Sequence, residues 1–430
     1  MNATTHALHL ERFSAACAGL PGSADCARAD ALARYAELGV PTPKLEAWHF
    51  TSLKPLDEAA IAPSDAKVAP MTNAALSPYA LSTSHAHHQL VFVDGRFRAD
   101  LSRIGALPKG VVLGAWSSSK VLPADLLVEA PDAGALRMLN AAYAADGAHL
   151  QVPAGVAVPA PIHLLFLGAS GAVHVRNRIA LGEGALATVL ETYAGAGRYW
   201  ANAVTGASIA DGATLRHLKL QQEDSEAFHT ATTAARVGAK GAFDSFVLSL
   251  GGRLVRNEIE VLLEGEGARA KLEGTYLARD RQHVDNTTTI DHAAPRCDSE
   301  ERYRGVLDGH AHGAFQGRIV VRPDAQKTNA HQLNENLLLS DRAEIDSKPE
   351  LEIHADDVKC GHGAAAGEID EQALFYLRAR GIGLEQARAM LIEAFVSELI
   401  DGIADEAIRD RFAAAVGGWL YDARGTRRTA

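Results

Sequence analysis

A charged residue followed by Gly-Ala recurs through the middle of this chain at a nearly constant period. Glu183-Gly184-Ala185, Asp211-Gly212-Ala213, Lys240-Gly241-Ala242 and Glu266-Gly267-Ala268 set their glycines 28, 29 and 26 residues apart. Each motif opens a run that alternates apolar and polar side chains, as in Thr214-Leu215-Arg216-His217-Leu218. Such alternation marks a strand with one buried face. One strand-turn unit cannot bury its own apolar face, so copies must stack, and stacking at a fixed period is a solenoid. A β-sandwich also shows strands every ~8–12 residues, but nothing in it holds the longer register. The fold class read here is mainly β, a parallel β-helix over about residues 151–367. Beyond the fourth motif the corner alanines Ala325 and Ala343 stand 18 residues apart, which predicts coils that tighten.

Helical regions flank this core. In residues 1–150, Arg28 to Leu38 is rich in helix formers and stops at Gly39, and Pro41 and Pro43 prevent its continuation. Pro55 to Ser84 reads as a loop or linker, and Leu90-Val91-Phe92-Val93-Asp94-Gly95 as a strand and turn. In residues 368–430, Asp370 can cap a helix that stops at Gly381. A second helix carries Leu384, Ala387, Leu391, Phe395 and Leu399 on one stripe, widened by Ile392, Val396 and Ile400. That stripe is broader than one flank of a solenoid requires, so the surplus either caps the solenoid end or docks a partner, with Leu384, Leu391, Phe395 and Leu399 as the candidate partner-binding residues.

The 430 residues carry a net charge of −11, which gives a nucleic-acid partner no electrostatic support. The four cysteines, Cys17, Cys26, Cys297 and Cys360, form no CxxC and are too scattered for a disulfide framework, as expected in a reducing cytosol. No signal peptide and no membrane-length apolar run is read, so a cytoplasmic location without membrane contact is expected. Signatures of P-loop NTPases, Rossmann dinucleotide sites, Gly-x-Ser-x-Gly hydrolases and His-Glu-x-x-His metallopeptidases are missing. The chain reads as a non-catalyst.

Cys360 and His362 stand two apart in Lys359-Cys360-Gly361-His362-Gly363. On an extended backbone both side chains point to one side, and thiolate with imidazole suits zinc, copper or iron. Two ligands do not close a four-coordinate site. Read alone, the pair is first a small buried thiol beside a turn histidine, and only then a ligand pair. Of the 18 histidines, His310 and His312 can share a strand face, and His85, His87 and His88 lie in a Ser-rich loop; turn or solvent partners are expected for both sets. His283, His292, His331 and His354 fall on predicted strands and are expected to face outward. Cys297 receives no role.

Several blocks in order carry a family resemblance. They are Phe315-Gln316-Gly317-Arg318-Ile319-Val320-Val321, Ala325-Gln326-Lys327-Thr328, Lys348-Pro349-Glu350-Leu351-Glu352-Ile353 and Ala355-Asp356-Asp357-Val358 running into Lys359-Cys360-Gly361-His362-Gly363-Ala364. Together with Pro41-Thr42-Pro43-Lys44-Leu45-Glu46-Ala47-Trp48 and Val91-Phe92-Val93-Asp94-Gly95-Arg96-Phe97, they resemble the SufD family of iron–sulfur cluster assembly proteins. The related SufB proteins are expected to carry a His-Glu-Ala-Thr type segment in place of Lys359 to Ala364, which selects SufD.

The resemblance implies a right-handed parallel β-helix between N-terminal and C-terminal helical regions. It also implies a scaffold complex with a SufB-like homologue and a SufC-like ABC ATPase, and a homodimer for the isolated chain. Iron or an iron–sulfur cluster would be held transiently at the SufB interface, with His362 and Cys360 as this chain's ligands; flavin in the complex is left open. In such a site Cys360 would be a second ligand or a thiolate favoured by iron or a nearby cation. Two rivals remain at this level: a polysaccharide-active β-helix enzyme, which needs clustered carboxylates and aromatic subsites, and a metal-free structural solenoid.

Overall fold

A computed structural model describes residues 4–17, 25–64, 71–82, 84–118 and 134–425. Residues 65–70 and 83 of the Pro- and Ser-rich stretch lie outside that set. The helices before the core are α1 (Thr5–Cys17), α2 (Asp25–Leu38), α3 (Lys54–Glu58), α4 (Asn73–Leu76) and α5 (Ala135–Tyr143). The strands begin with β1 (His88–Val93), β2 (Arg96–Phe97), β3 (Val112–Ala115) and β4 (Ala148–Val152). The coils follow as β5 (Ile162–Gly168), β6 (Ala172–Leu181), β7 (Leu186–Gly195), β8 (Trp200–Ile209), β9 (Thr214–Glu223), β10 (Phe228–Val237), β11 (Ala242–Ser249) and β12 (Leu254–Leu263). They continue through β13 (Arg269–Ala278), β14 (His283–His292), β15 (Asp298–Leu307), β16 (His312–Val321), β17 (Asn329–Leu338), β18 (Glu344–Ile353) and β19 (Lys359–Gly367). Three helices end the chain: α6 (Glu371–Ala379), α7 (Leu384–Ile400) and α8 (Glu406–Gly425).

Successive strands alternate between two sheets, which is the expected parallel β-helix. One sheet runs β19-β17-β15-β13-β11-β9-β7-β5-β1-β2, and the other β18-β16-β14-β12-β10-β8-β6-β4-β3. Every pairing is parallel except β1 with β2 and β3 with β4, so the short antiparallel strands close the N-terminal end of both sheets. Strands β1 to β4 extend the same two sheets from within the first 152 residues.

The four Gly-Ala motifs all lead into the first sheet, at β7, β9, β11 and β13. The turn position itself is left-handed, with φ of +62° at Gly184, +65° at Gly212 and +71° at Gly267. In the third unit Lys240, at φ +55°, takes that position, so the Lys-Gly-Ala motif is displaced by one residue. The true period is therefore steadier than the glycine count suggests. Ala185, Ala213, Ala268 and Cys297 each sit buried immediately before a strand of that sheet, where only a small side chain fits, and this is the structural place of Cys297. The predicted tightening does not occur. Ala325 precedes β17 and Ala343 precedes β18, on opposite sheets, so their separation is half a coil.

The outer face of each sheet is covered by helices. Tyr35, Trp48, Leu136 and Leu139 of the N-terminal region pack on Trp200, Phe228 and Leu254 of the second sheet. Ile392, Val396 and Leu399 of α7, with Ile408, Phe412 and Val416 of α8, pack on Leu218, Leu220, Phe246, Leu248 and Val306 of the first. This reverses the usual sense of alternation on β9. Leu218 and Leu220 face outward under helices, while Leu215, His217 and Lys219 face the interior. There Glu191 accepts hydrogen bonds from Thr205 (2.7 Å) and Asn177 (3.2 Å) of the opposite sheet, and from Tyr193 (2.8 Å). Lys219 Nζ donates to His229 Nε2 (2.7 Å) and Asn257 Oδ1 (2.8 Å). Burial lowers the Lys219 ammonium to about 8 against the pull of Glu191 and Glu223.

Candidate functional site

Cys360 and His362 lie on β19, the last strand of the first sheet, which has a strand neighbour on one side only. Cys360 stands opposite Ala330 and His362 opposite Gln332. The columns continue inward through Ser299 and Glu301, all buried, so both side chains extend columns that line the solenoid interior. No further coil covers them. Cys360 is half-buried against Ala330, Ala355, Leu351 and Val358, and His362 is exposed. Two glycines keep the rung slim: a Cβ at Gly361 would stand 3.7 Å from the ring of His331, and one at Gly363 would stand 3.1 Å from Leu333.

His362 opens into a cleft of about 410 Å³ lined by Glu300, Glu301, Arg302, His331, Gln332 and Leu333. Gln332 Nε2 donates to Glu301 Oε2 at 2.7 Å, while Glu301 Oε1 and Gln332 Oε1 have no partner. Burial raises the carboxyl of Glu301, two rungs beneath His362, to about 7. Burial also raises the Cys360 thiol. In the isolated chain Cys360 is thus a thiol, and thiolate character would have to come from a bound cation. Among the described residues, no three His, Cys, Asp or Glu side chains gather closely enough to hold a metal ion.

The other sequence candidates separate. His310 sits in a corner and accepts from Arg342 (3.0 Å), whereas His312 begins β16 and bonds Asp346 (2.8 Å), so the two do not share a site. His87 donates to the His85 carbonyl (2.9 Å), and His88 Nδ1 accepts from the Gly105 amide (3.1 Å). His331 and His354 are exposed as expected. His292 is not: it is buried and bonds Ser299 on the facing sheet at 2.9 Å. Cys26, Cys297 and Cys360 are free thiols.

On the helices, Leu399 is buried within this chain's own core and Phe395 is half-buried beneath the Arg304 guanidinium, 4.8 Å from its ring. These two pack α7 on the solenoid. Leu384 is exposed and Leu391 half-buried. Sequence reasoning missed Phe375 and Tyr376 of α6, which are 74% and 58% exposed, and Met390 of α7. Two adjacent aromatics before a helix-stopping glycine were the available signal.

The family comparisons agree with this architecture. Residues 166–395 match the family described as SUF system FeS cluster assembly, SufBD core domain, and residues 22–164 match the SufBD protein N-terminal region. The chain is 31% identical over 387 residues to the iron–sulfur cluster assembly protein SufD of Escherichia coli, covering 88% of this chain and 89% of that protein. It is 30% identical over 401 residues to an iron–sulfur cluster assembly SufBD family protein of Synechocystis, covering 88% and 87%. It is also 34% identical over 353 residues to the chloroplastic protein ABCI7 of Arabidopsis thaliana, covering 77% and 73%. With both family regions matched in order on a parallel β-helix, the chain belongs to the SufBD family of iron–sulfur cluster assembly proteins.

Proposed function

We propose that this chain is a non-catalytic scaffold subunit that offers His362 and Cys360 to iron or a forming iron–sulfur cluster at an interface with a SufB-like partner. The observation that carries the reading is the open last coil: a soft ligand pair stands on an edge strand with a vacant side, and His362 opens into a cleft lined in part by Glu301. A second chain set against that edge would add the missing ligands. Iron here is cargo, and the thiol–imidazole pair matches its preference for soft and borderline donors.

The exposed side chains Leu384, Phe375, Tyr376 and Met390, with half-buried Leu391, are proposed as the surface for a SufC-like ABC ATPase, whose hydrolysis would drive rearrangement. We also propose the division into residues 1–150, 151–367 and 368–430, and a cytoplasmic setting, which the three free thiols favour. No helix among the described residues is long and apolar enough to cross a membrane. A flavin has no support in the family matches.

His362→Ala co-expressed with a SufB-like chain and an ABC ATPase tests the proposal. The complex should assemble, because His362 is exposed and bonds nothing in this chain's core, but it should purify with little iron and sulfide. Wild-type iron and sulfide in the assembled variant would sink the ligand role.

A further inference from the structure

Two histidine pairs bring ring nitrogens into contact, and counting hydrogens separates them. In the first, His9 Nδ1 donates to the Thr5 carbonyl (2.7 Å), leaving His9 Nε2 to accept from His174 Nε2 (3.2 Å). His174 Nδ1 then accepts from Asn202 Nδ2 (3.2 Å). Every nitrogen is satisfied with both rings neutral.

The second pair does not close in that way. His312 Nε2 faces the Asp346 carboxylate at 2.8 Å and must donate to it. His283 Nε2 lies 2.7 Å from Thr51 Oγ1, and the single Thr51 hydrogen goes to Asp285, a carboxylate gripped by Arg256. His283 Nε2 must therefore donate to Thr51. Both rings thus carry their hydrogen on Nε2, and their bare Nδ1 atoms point at each other 3.1 Å apart. Two lone pairs at that distance require a cation between them. An ordinary imidazole is mostly neutral at pH 7, so a shared proton is a poor occupant at neutrality.

We propose that His283 Nδ1 and His312 Nδ1 bind one divalent first-row transition metal ion on the outer face of the second sheet. Two nitrogens each ~2.0–2.1 Å from an ion at a tetrahedral angle stand ~3.3 Å apart, close to the separation seen. A carboxylate on the remote nitrogen of a ligating histidine fixes its tautomer and raises its basicity. Asp346 does this directly for His312, and Asp285 does it through Thr51 for His283. Imidazole suits zinc, iron, copper and nickel. His312 keeps 30% of its side chain exposed, which gives the ion an entry path, and exposed Glu344 is its ladder neighbour on β18. With two protein nitrogens and solvent completing the shell, the ion exchanges. The site is separate from β19 and independent of the role proposed for Cys360 and His362.

The test titrates cobalt(II) into the full chain near pH 7, with Cys360→Ser and His362→Ala introduced to silence the other pair. We expect one cobalt per chain, a ligand-field absorption band and a raised Tm, all lost in His283→Gln or His312→Gln. Asp346→Asn, at a half-buried position whose side chain is 42% exposed, should weaken binding ~10–100-fold without loss of fold. Absence of cobalt binding by the parent, or binding undiminished in Asp346→Asn and in whichever histidine variant folds, would overturn the site and leave a shared proton in the gap.

Discussion

Arg256 ties the N-terminal segment to the solenoid, and replacing it with Met should cost about 4 kcal/mol. Its side chain and that of Asp285 are almost wholly buried, at 1% and 0% exposed. The guanidinium also lies 2.7 Å from Glu258, donates to the Ala47 carbonyl at 2.7 Å and stacks 3.9 Å from the Trp48 ring centre. At a charge separation of ~4 Å and an effective dielectric near ~20, the Asp285 attraction alone is about 4 kcal/mol. Removing one member of a buried pair costs ~3–5 kcal/mol because the other charge is stranded. Loss of the cation–π contact adds ~1–2 kcal/mol, partly recovered by methionine packing on Trp48. Asp285→Asn in the Arg256→Met background should restore roughly half the loss, because no bare carboxylate then remains. Urea unfolding would be followed by far-UV circular dichroism for the coils and by tryptophan fluorescence for the Trp48 contact, since a solenoid need not melt in one step. A single variant within about 1 kcal/mol of wild type, or a double variant no more stable than the single, would refute the reasoning.

Three further outcomes follow from named groups. Glu301 has a folded pKa near 7, raised by burial from the usual 4.5. Its contribution is fully present below pH ~4.5 and is lost as pH rises through about 7, a change of about 3 kcal/mol. Glu301→Gln should flatten that part of the stability–pH profile, and an unchanged slope in urea titrations would contradict the assignment. On α7, Leu399→Ala should cost ~2–5 kcal/mol by opening a cavity against the first sheet. Leu384→Asp, at an exposed position, should stay within ~0.5 kcal/mol of wild type yet abolish retention of the ATPase in a pull-down; retained ATPase would remove Leu384 from the interface.

The solenoid is legible because corners are local. A left-handed turn selects glycine, a buried corner selects alanine, and both recur once per coil on one sheet. The other sheet's corners also hold left-handed glycines, but one residue before β6 at Gly171 and three before β8 and β16 at Gly197 and Gly309, so they keep no fixed motif, and Ala325 and Ala343 read as one series when they belong to two. Alternation locates strands, but not which face is inside. On β9 Leu218 and Leu220 meet α7 and α8, and His217 and Lys219 meet the interior, a decision made by helices some 180 residues away in sequence. Cys360 and His362 are visible as a pair because their spacing is local. Glu301 beneath them arrives by register across two coils, and the facing of His283 to His312 depends on Thr51 from the far end of the chain. Periodicity carries no information about such meetings.

The two ends of the β-helix differ in kind. Antiparallel β2 and β3 finish one end, and parallel β18 and β19 leave the other unfinished. The two-residue β2 and four-residue β3 offer a second coil little backbone to pair with, so head-to-tail stacking into a filament is disfavoured. Were two such rods to meet growing end to growing end, one joint about a twofold or near-twofold axis would consume both free edges and the assembly would close at two.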